Sequence, residues 1–356
     1  MSESRSVTVT RARHLRAMLW SVVLIAVGAM LLPLTAYIWT SAVQAQESTE
    51  QAQSDGRNPR SEYWRDVRNA EAGYTAVRGQ ETGVLIQSRG ETWREVRNGP
   101  VMILGAIMVV GMILALLAYH LIKGGAKLEH RTGRKVLRWA MSDRVLHWYT
   151  AVLFIVLAIT GFSLLWGRSV LIPLLGKEGF AAWAGIAKPI HDYLALAFTA
   201  GLIVMLLKWF HHNIPASYDR EWFRQAGGYF SSSHPPAGFA NAGEKAYYWV
   251  LLIGGTALVI SGFYLLFPNL GFERAAMQTA NIVHGVSALV LTTAVVAHIY
   301  LGTLGSEGAL EGMVSGEVDE GWAKQHHNLW LEEVKKQGGV PASEGSASGR
   351  SAPASA

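Results

Sequence analysis

From residue 99 onward the chain alternates long apolar runs with short polar segments, and five runs reach the roughly 20 residues a helix needs to cross a bilayer. They lie at about 101–122, 145–166, 190–207, 246–267 and 281–304. Lipid offers backbone groups no hydrogen-bond partner, so such runs are helices and the chain is predicted to be an all-α membrane protein. An earlier apolar run, 18–39, follows a basic start (Arg5, Arg11, Arg13, Arg16) and ends in the small-residue stretch Ser41-Ala42-Val43-Gln44-Ala45. Residues 1–45 therefore read as a signal peptide or an uncleaved N-terminal anchor.

Lys and Arg in the short connections orient the spans. The loop between the first and second carries seven (Lys123, Lys127, Arg131, Arg134, Lys135, Arg138, Arg144) and is expected in the cytoplasm. The next connections alternate: Arg168, Lys177 and Lys188 outside, then Lys208, Arg220, Arg224 and Lys245 inside, then Arg274 alone outside. The tail from residue 305 is then cytoplasmic, and its Ser/Ala-rich end from Gly338 reads as disordered. Residues 46–99 are placed outside, because a segment of that length crosses largely regardless of charge. The expected order is thus 46–99 periplasmic, 100–123 an extra transmembrane helix, 124–144 a basic cytoplasmic loop, 145–304 a four-helix core and 305–356 the tail.

Two internal echoes stand out. Trp64-Arg65-Asp66-Val67-Arg68-Asn69 returns as Trp93-Arg94-Glu95-Val96-Arg97-Asn98, which reads as two amphipathic helical segments on the membrane surface or on a partner. Thr160-Gly161-Phe162 in the second span returns as Ser261-Gly262-Phe263 in the fourth, and the span after each begins with a histidine. The four core spans therefore look like a parallel repeat of helix pairs. Its glycines suit a close approach of a neighbour or simple helix packing.

Composition sharpens the candidate chemistry. Half the residues are apolar and 16% are charged, and there is no cysteine, which excludes disulfides, thiolate metal sites and thiolate-held clusters. Histidine inside a span is costly and usually functional. By the predicted orientation His147 and His298 lie near the inner face, and His191 and His284 near the outer. His284 and His298 are 14 residues apart on one helix. That is ~21 Å of rise and within about 40° of a whole number of turns, so both rings leave one face. Two imidazoles per site, without thiolate, carboxylate or third histidine, suit a haem iron whose other ligands come from the porphyrin; zinc would want more protein ligands. The expectation is two haem b groups, each bis-histidine, in a four-helix transmembrane dihaem cytochrome b bundle with an extra N-terminal transmembrane helix. His120 matches the inner depth but lies outside the repeat and reads as interfacial or loop-facing. His211-His212 and His326-His327 fall in charged cytoplasmic segments, where adjacent helical residues diverge by about 100° and do not chelate one metal.

The residues from about 139 to 336 resemble a known family, the gamma subunit of membrane-bound formate dehydrogenase, a dihaem cytochrome b. The resemblance rests on Arg144-Val145-Leu146-His147-Trp148, His211-His212-Asn213-Ile214-Pro215, Asn241-Ala242-Gly243-Glu244-Lys245, and His284 with His298. The tail adds Gly312-Met313, Gly316-Glu317-Val318, Trp322-Ala323-Lys324-Gln325-His326-His327 and Trp330. It implies haem ligation by His147, His191, His284 and His298. It also implies a pocket for menaquinone or ubiquinone built from Asn241, Gly243, Glu244 and His298. This chain has Glu244 where the family form has Gln, and Ala240 where it has Tyr. A carboxyl there reads either as a proton donor to quinone or as a helix-terminal cap.

The implied partners are an iron-sulfur beta subunit and a molybdenum or tungsten catalytic alpha subunit, with membrane lipid and quinone, in the bacterial inner membrane; no nucleic-acid partner is expected. The chain itself has no formate-oxidising site: no cluster cysteines and no dinucleotide loop in the required context. The expected role is electron transfer from the iron-sulfur subunit through both haems to quinone near the cytoplasmic side. An anchor for another periplasmic oxidoreductase, such as nickel-iron hydrogenase or thiosulfate reductase, would run the same physics, and a haem-free transporter or sensor is the alternative of another class.

Overall fold

The computed structural model describes residues 88–229, 231, 233–272 and 274–338, together with 64, 65, 68 and 69. The expected signal peptide or anchor, most of the 46–87 stretch and the tail end from 339 lie outside the described residues. Among the described residues five helices are long and apolar enough to cross a membrane: Gly90–Lys123, Met141–Leu165, Leu171–Asn213, Ala242–Leu266 and Arg274–Gly305. Each covers one expected span to within a residue. We name the elements α1 (Ser88–Val96), α2 (Met102–Lys123), β1 (Lys135–Leu137), α3 (Met141–Leu165), α4 (Leu171–Trp209), α5 (Asp219–Arg224), α6 (Ala242–Leu266), α7 (Arg274–Tyr300), α8 (Ala309–Val314), β2 (Glu317–Asp319), α9 (Glu320–His326) and α10 (Asn328–Lys336).

The helices differ from the expected spans mainly at their ends. α1 and α2 are joined by a π turn, Arg97–Val101, with Pro100 inside it. Pro100 has no N–H to give to an earlier carbonyl, and the helix widens around it instead of stopping. The second tryptophan repeat is therefore helical and continuous with the helix that carries the first span, and the Trp93 indole donates to Asn281 Oδ1 at 3.3 Å. α4 starts well before residue 190, interrupted at Gly176 (φ 73°, ψ 172°) and carrying Pro189 inside. Its mixed polar start lacks the apolar density that marks a span, so hydropathy alone misses it. Gly167 is needed here, since a Cβ would meet the Phe180 ring at 2.3 Å.

The chain divides into two compact units, to each of which α3, α4, α6 and α7 contribute a stretch. The first comprises Met1–Ala115, Phe154–Leu196 and Gly254–Val296. Its core is Val101, Met102, Ala106, Val109, Trp166, Val170 and Leu289. Gly105 lets α2 close on α7, where an added Cβ would stand 2.4 Å from Leu289 Cδ1.

The second unit comprises Leu116–Leu153, Ala197–Ile253 and Ala297–Ala356, and in it the basic loop and the tail form one folded cap. β1 pairs antiparallel with β2, Val136 opposite Val318. Beneath them Val136, Val318, Trp322, Ala323, Trp330 and Leu331 make a core. Arg131 and Lys135 both pair with Glu311, at 2.9 and 2.7 Å, and Arg134 and Lys335 pair with Glu320. Large apolar side chains such as Leu121, Leu207 and Ile253 stay exposed, as lipid-facing positions require.

Candidate functional site

The first unit brings His191 of α4 and His284 of α7 together, with ring centroids 6.2 Å apart and planes at 74°. Each ring is oriented by the hydroxyl that opens the repeated motif. Thr160 Oγ1 donates to the Val156 carbonyl at 2.9 Å, and its oxygen lies 2.9 Å from His191 Nδ1. Ser261 Oγ likewise donates to the Ala257 carbonyl and lies 3.3 Å from His284 Nδ1, which donates to the Leu258 carbonyl at 3.1 Å. A carbonyl only accepts, so Nδ1 of His284 carries the proton and Nε2 keeps its lone pair; the Thr160 hydroxyl, its proton already committed, sets the same tautomer in His191. An imidazole so fixed through one nitrogen is the usual arrangement of a metal ligand. The glycine of each motif gives the ring its seat: a Cβ on Gly161 would stand 3.0 Å from His191 Cε1, and one on Gly262 3.1 Å from His284 Cε1. The repeat was visible in sequence, but the orienting roles of Thr160 and Ser261 were not.

The second unit brings His147 of α3 and His298 of α7 to a centroid distance of 6.1 Å, planes at 56°. Tyr247 of α6 lies parallel on His298, centroids 4.5 Å apart and planes 3° from parallel. Among the described residues the buried His147 Nδ1 has no hydrogen-bond partner. His120 is instead held by Tyr300, whose hydroxyl is 3.2 Å from its Nδ1. Tyr247 escaped sequence reasoning because a tyrosine one turn into an apolar helix has no motif of its own.

Each pair could hold a haem iron between its two imidazoles. Two imidazoles on one metal at bonds of about 2 Å, each nitrogen roughly 1.1 Å from its ring centre, put the centroids about 6 Å apart. The two observed spacings, 6.2 and 6.1 Å, match. Among the described residues no group of three or more His, Cys, Asp or Glu converges, and a porphyrin iron would need only the pair.

The residues expected around quinone arrange themselves differently. Asn241 and Glu244 form a reciprocal cap on α6: the Asn241 amide donates to Glu244 Oε2 and the Glu244 amide to Asn241 Oδ1, both at 2.9 Å. Arg138 Nη2 reaches Glu244 Oε1 at 3.3 Å and the Phe239 carbonyl at 3.0 Å. Gly243 lies under Trp222, where a Cβ would be 2.7 Å from Cη2. His298 is brought against Tyr247, one turn along α6 from Glu244. The His211 and His212 rings meet at 3.8 Å, tilted by 43°, and His212 stacks on Phe239 at 4.1 Å. His327 is buried in the cap, Nδ1 2.9 Å from the Gly238 carbonyl.

A model of the prokaryotic cytochrome b561 family matches residues 138–316. The chain is 27% identical over 205 residues to the formate dehydrogenase cytochrome b556(fdo) subunit of Escherichia coli strain K12, covering 56% of this chain and 94% of the relative. It is 26% identical over 208 residues to the nitrate-inducible cytochrome b556(Fdn) subunit of the same strain, covering 57% and 93%. A formate dehydrogenase cytochrome b556 subunit of Haemophilus influenzae is 26% identical over 214 residues, covering 58% and 87%. With a match that takes in both histidine pairs and α3, α4, α6 and α7, which carry them or pack on them, the chain belongs to the prokaryotic cytochrome b561 family, multi-pass membrane proteins built on haem b.

Proposed function

We propose that this chain is the membrane-anchoring cytochrome b subunit of a respiratory formate dehydrogenase. It would accept electrons from a periplasmic iron-sulfur subunit, itself fed by a molybdenum or tungsten catalytic subunit, and deliver them to menaquinone or ubiquinone near the cytoplasmic side. The observation that carries the reading is the pair of imidazoles in each unit at the spacing of a shared metal, in a chain whose relatives are formate dehydrogenase cytochrome subunits.

His191 and His284 hold one haem b, and His147 and His298 a second. Each haem supplies a one-electron carrier when bound. Thr160, Ser261 and the Leu258 carbonyl hold the proton on Nδ1 in the first pair, leaving Nε2 for the metal, and Tyr247 fixes the His298 plane in the second. Asn241, Gly243, Glu244 and His298 are the residues we assign to quinone, with Gly243 acting through the Trp222 it seats. The chain sits in the bacterial inner membrane with its tail cytoplasmic. The pairing of the basic loop with the tail through β1, β2 and Glu311 supports one side for both. An electron moved inward across the full membrane works against about 2.3 kcal/mol per 100 mV, so the reaction stores energy as potential.

The test is a reduced-minus-oxidised spectrum of the purified chain and its single variants. His191→Ala or His284→Ala should remove one b-type component and spare the other; His147→Ala or His298→Ala should do the reverse. Absence of any b-type band in the unmodified protein overturns the ligation scheme, and two haems retained in His147→Ala would move the second site to His120. Copurification with a tagged chain tests the complex: recovery of a hydrogenase in place of a formate dehydrogenase would overturn the choice of enzyme.

A further inference from the structure

The cluster at the start of α6 joins Glu244, assigned above to quinone, to a buried arginine and a buried histidine that the proposed function leaves unused. The Arg138 side chain, 3% exposed, is enclosed by Trp139, Phe239, Trp322 and Trp330, whose ring centroids lie 5.8, 5.0, 5.0 and 5.3 Å from Cζ. It faces the Glu244 carboxylate. His327 approaches the same carboxylate from the tail, with Nε2 3.9 Å from Oε1 and a side chain only 1% exposed. Its Nδ1 sits 2.9 Å from the Gly238 carbonyl, which can only accept, so Nδ1 carries the proton and Nε2 turns a lone pair toward Glu244. Two acceptors thus face each other at 3.9 Å, and a proton between them would draw the groups together to hydrogen-bond distance.

Burial acts on both members of the pair. Burial, with Arg138 adding to it, holds the His327 imidazole well below its ordinary range. Burial also raises the Glu244 carboxyl, while Arg138, the Asn241 amide and Lys245 pull the other way and favour its ionised form. The other groups around it change little. Lys245 is matched by Asp219 at 2.9 Å, the Tyr229 phenol is pushed up to about 12 by burial with a smaller push from Glu244, and His326, facing His234, is lowered to about 4 by burial. None of them offers a negative charge to offset a proton on the pair. An electron would. Glu244 and Tyr247 are three residues apart on one face of α6, and the Tyr247 ring lies on His298.

The geometry points to Glu244 and His327 as a proton-sharing pair that takes up one proton as one electron reaches the haem we assign to His147 and His298, with Arg138 as a positioning residue. The inference rests on that assignment. One electron and one proton enter; an N–H bond forms at His327 Nε2 and is shared with Glu244 Oε1, the proton coming from cytoplasmic water. The net charge of the region is unchanged, which removes the main penalty for charging a buried group. The Glu244 end of the pair is 44% exposed, so the proton can leave through the carboxylate toward an acceptor such as a quinone oxygen.

The experiment is a redox titration of the purified complex, followed at the b-type band at several pH values. One component should fall in midpoint as pH rises, approaching 59 mV for each tenfold change in proton concentration, the value for one proton per electron. The other should stay nearly flat and serve as an internal control. Glu244→Gln, which keeps the capping shape, and His327→Asn should each cut the slope by more than half while both bands persist. An unchanged slope in Glu244→Gln, or flat titrations of both components in the unmodified complex, overturns the inference. Missing b-type bands in the unmodified complex are a different result and overturn the haem assignment itself.

Discussion

A single methyl group tests whether the repeated glycines seat the imidazoles. In Gly161→Ala the new carbon would stand 3.0 Å from His191 Cε1, and in Gly262→Ala 3.1 Å from His284 Cε1. Carbon atoms in contact settle at about 3.5–4.0 Å, so each ring must retreat by roughly half an ångström. The hydrogen bonds from Nδ1 to Thr160, Ser261 and Leu258 resist that movement. Binding sites tolerate misplacement of about 0.5 Å, and overpacking costs about 1–3 kcal/mol, or roughly 5- to 150-fold in affinity. Helix propensity pulls the other way, favouring Ala over Gly by about 1 kcal/mol. Gly111 in α2 separates the two effects, because nothing lies within 4 Å of a Cβ there. We expect Gly111→Ala to be neutral or stabilising, Gly161→Ala to lower occupancy of the His191/His284 site, and Gly161→Val to empty it while the other haem stays. Haem per chain, measured by pyridine haemochrome, and the reduced spectrum report the outcome. Two haems with unshifted bands in Gly161→Val would refute the seating argument.

Three further outcomes follow from the second unit and the orientation. The Lys245 ammonium is bound by both Asp219 oxygens at 2.9 Å, with side chains 6% and 11% exposed. Lys245→Met should therefore cost about 3–5 kcal/mol in thermal or denaturant stability, and adding Asp219→Leu should recover most of it. The Asp319 carboxyl is held below the usual range: burial alone would raise it, but the amides of Thr132, Gly321 and Gly133 and the Thr132 hydroxyl outweigh burial. A depressed carboxylate contributes stability above its unfolded value of about 3.9 and loses it as pH falls through the folded value. The cap should therefore loosen on acidification, visible in Trp322 fluorescence, and Asp319→Asn should abolish that acid transition while weakening the cap at neutral pH. Reporter fusions after Asn98 and after Leu329 should lie on opposite sides of the membrane; both on one side would break the span count on which the haem depths depend.

The sequence by itself determined the five spans, the repeat, and which histidines meet. Apolar length and loop charge are one-dimensional quantities imposed by the bilayer, and the 14-residue interval in α7 follows from helical pitch alone. Only tertiary structure decided what surrounds those histidines. Thr160 and Ser261 bond their own helices as well as a ring on another, and Tyr247 meets His298 across two helices. No local pattern announces such contacts. The cap was equally hidden: β1 and β2 are three residues each and far apart in the chain, too short for any period-two signal, and their pairing places Arg138 and His327 on Glu244. A carboxyl at a helix start reads alike as cap or proton donor until its neighbours are known. Here the cap comes from Asn241 within its own turn, while the charge and the lone pair that give Glu244 its chemistry arrive from 106 residues before it and from the tail behind it.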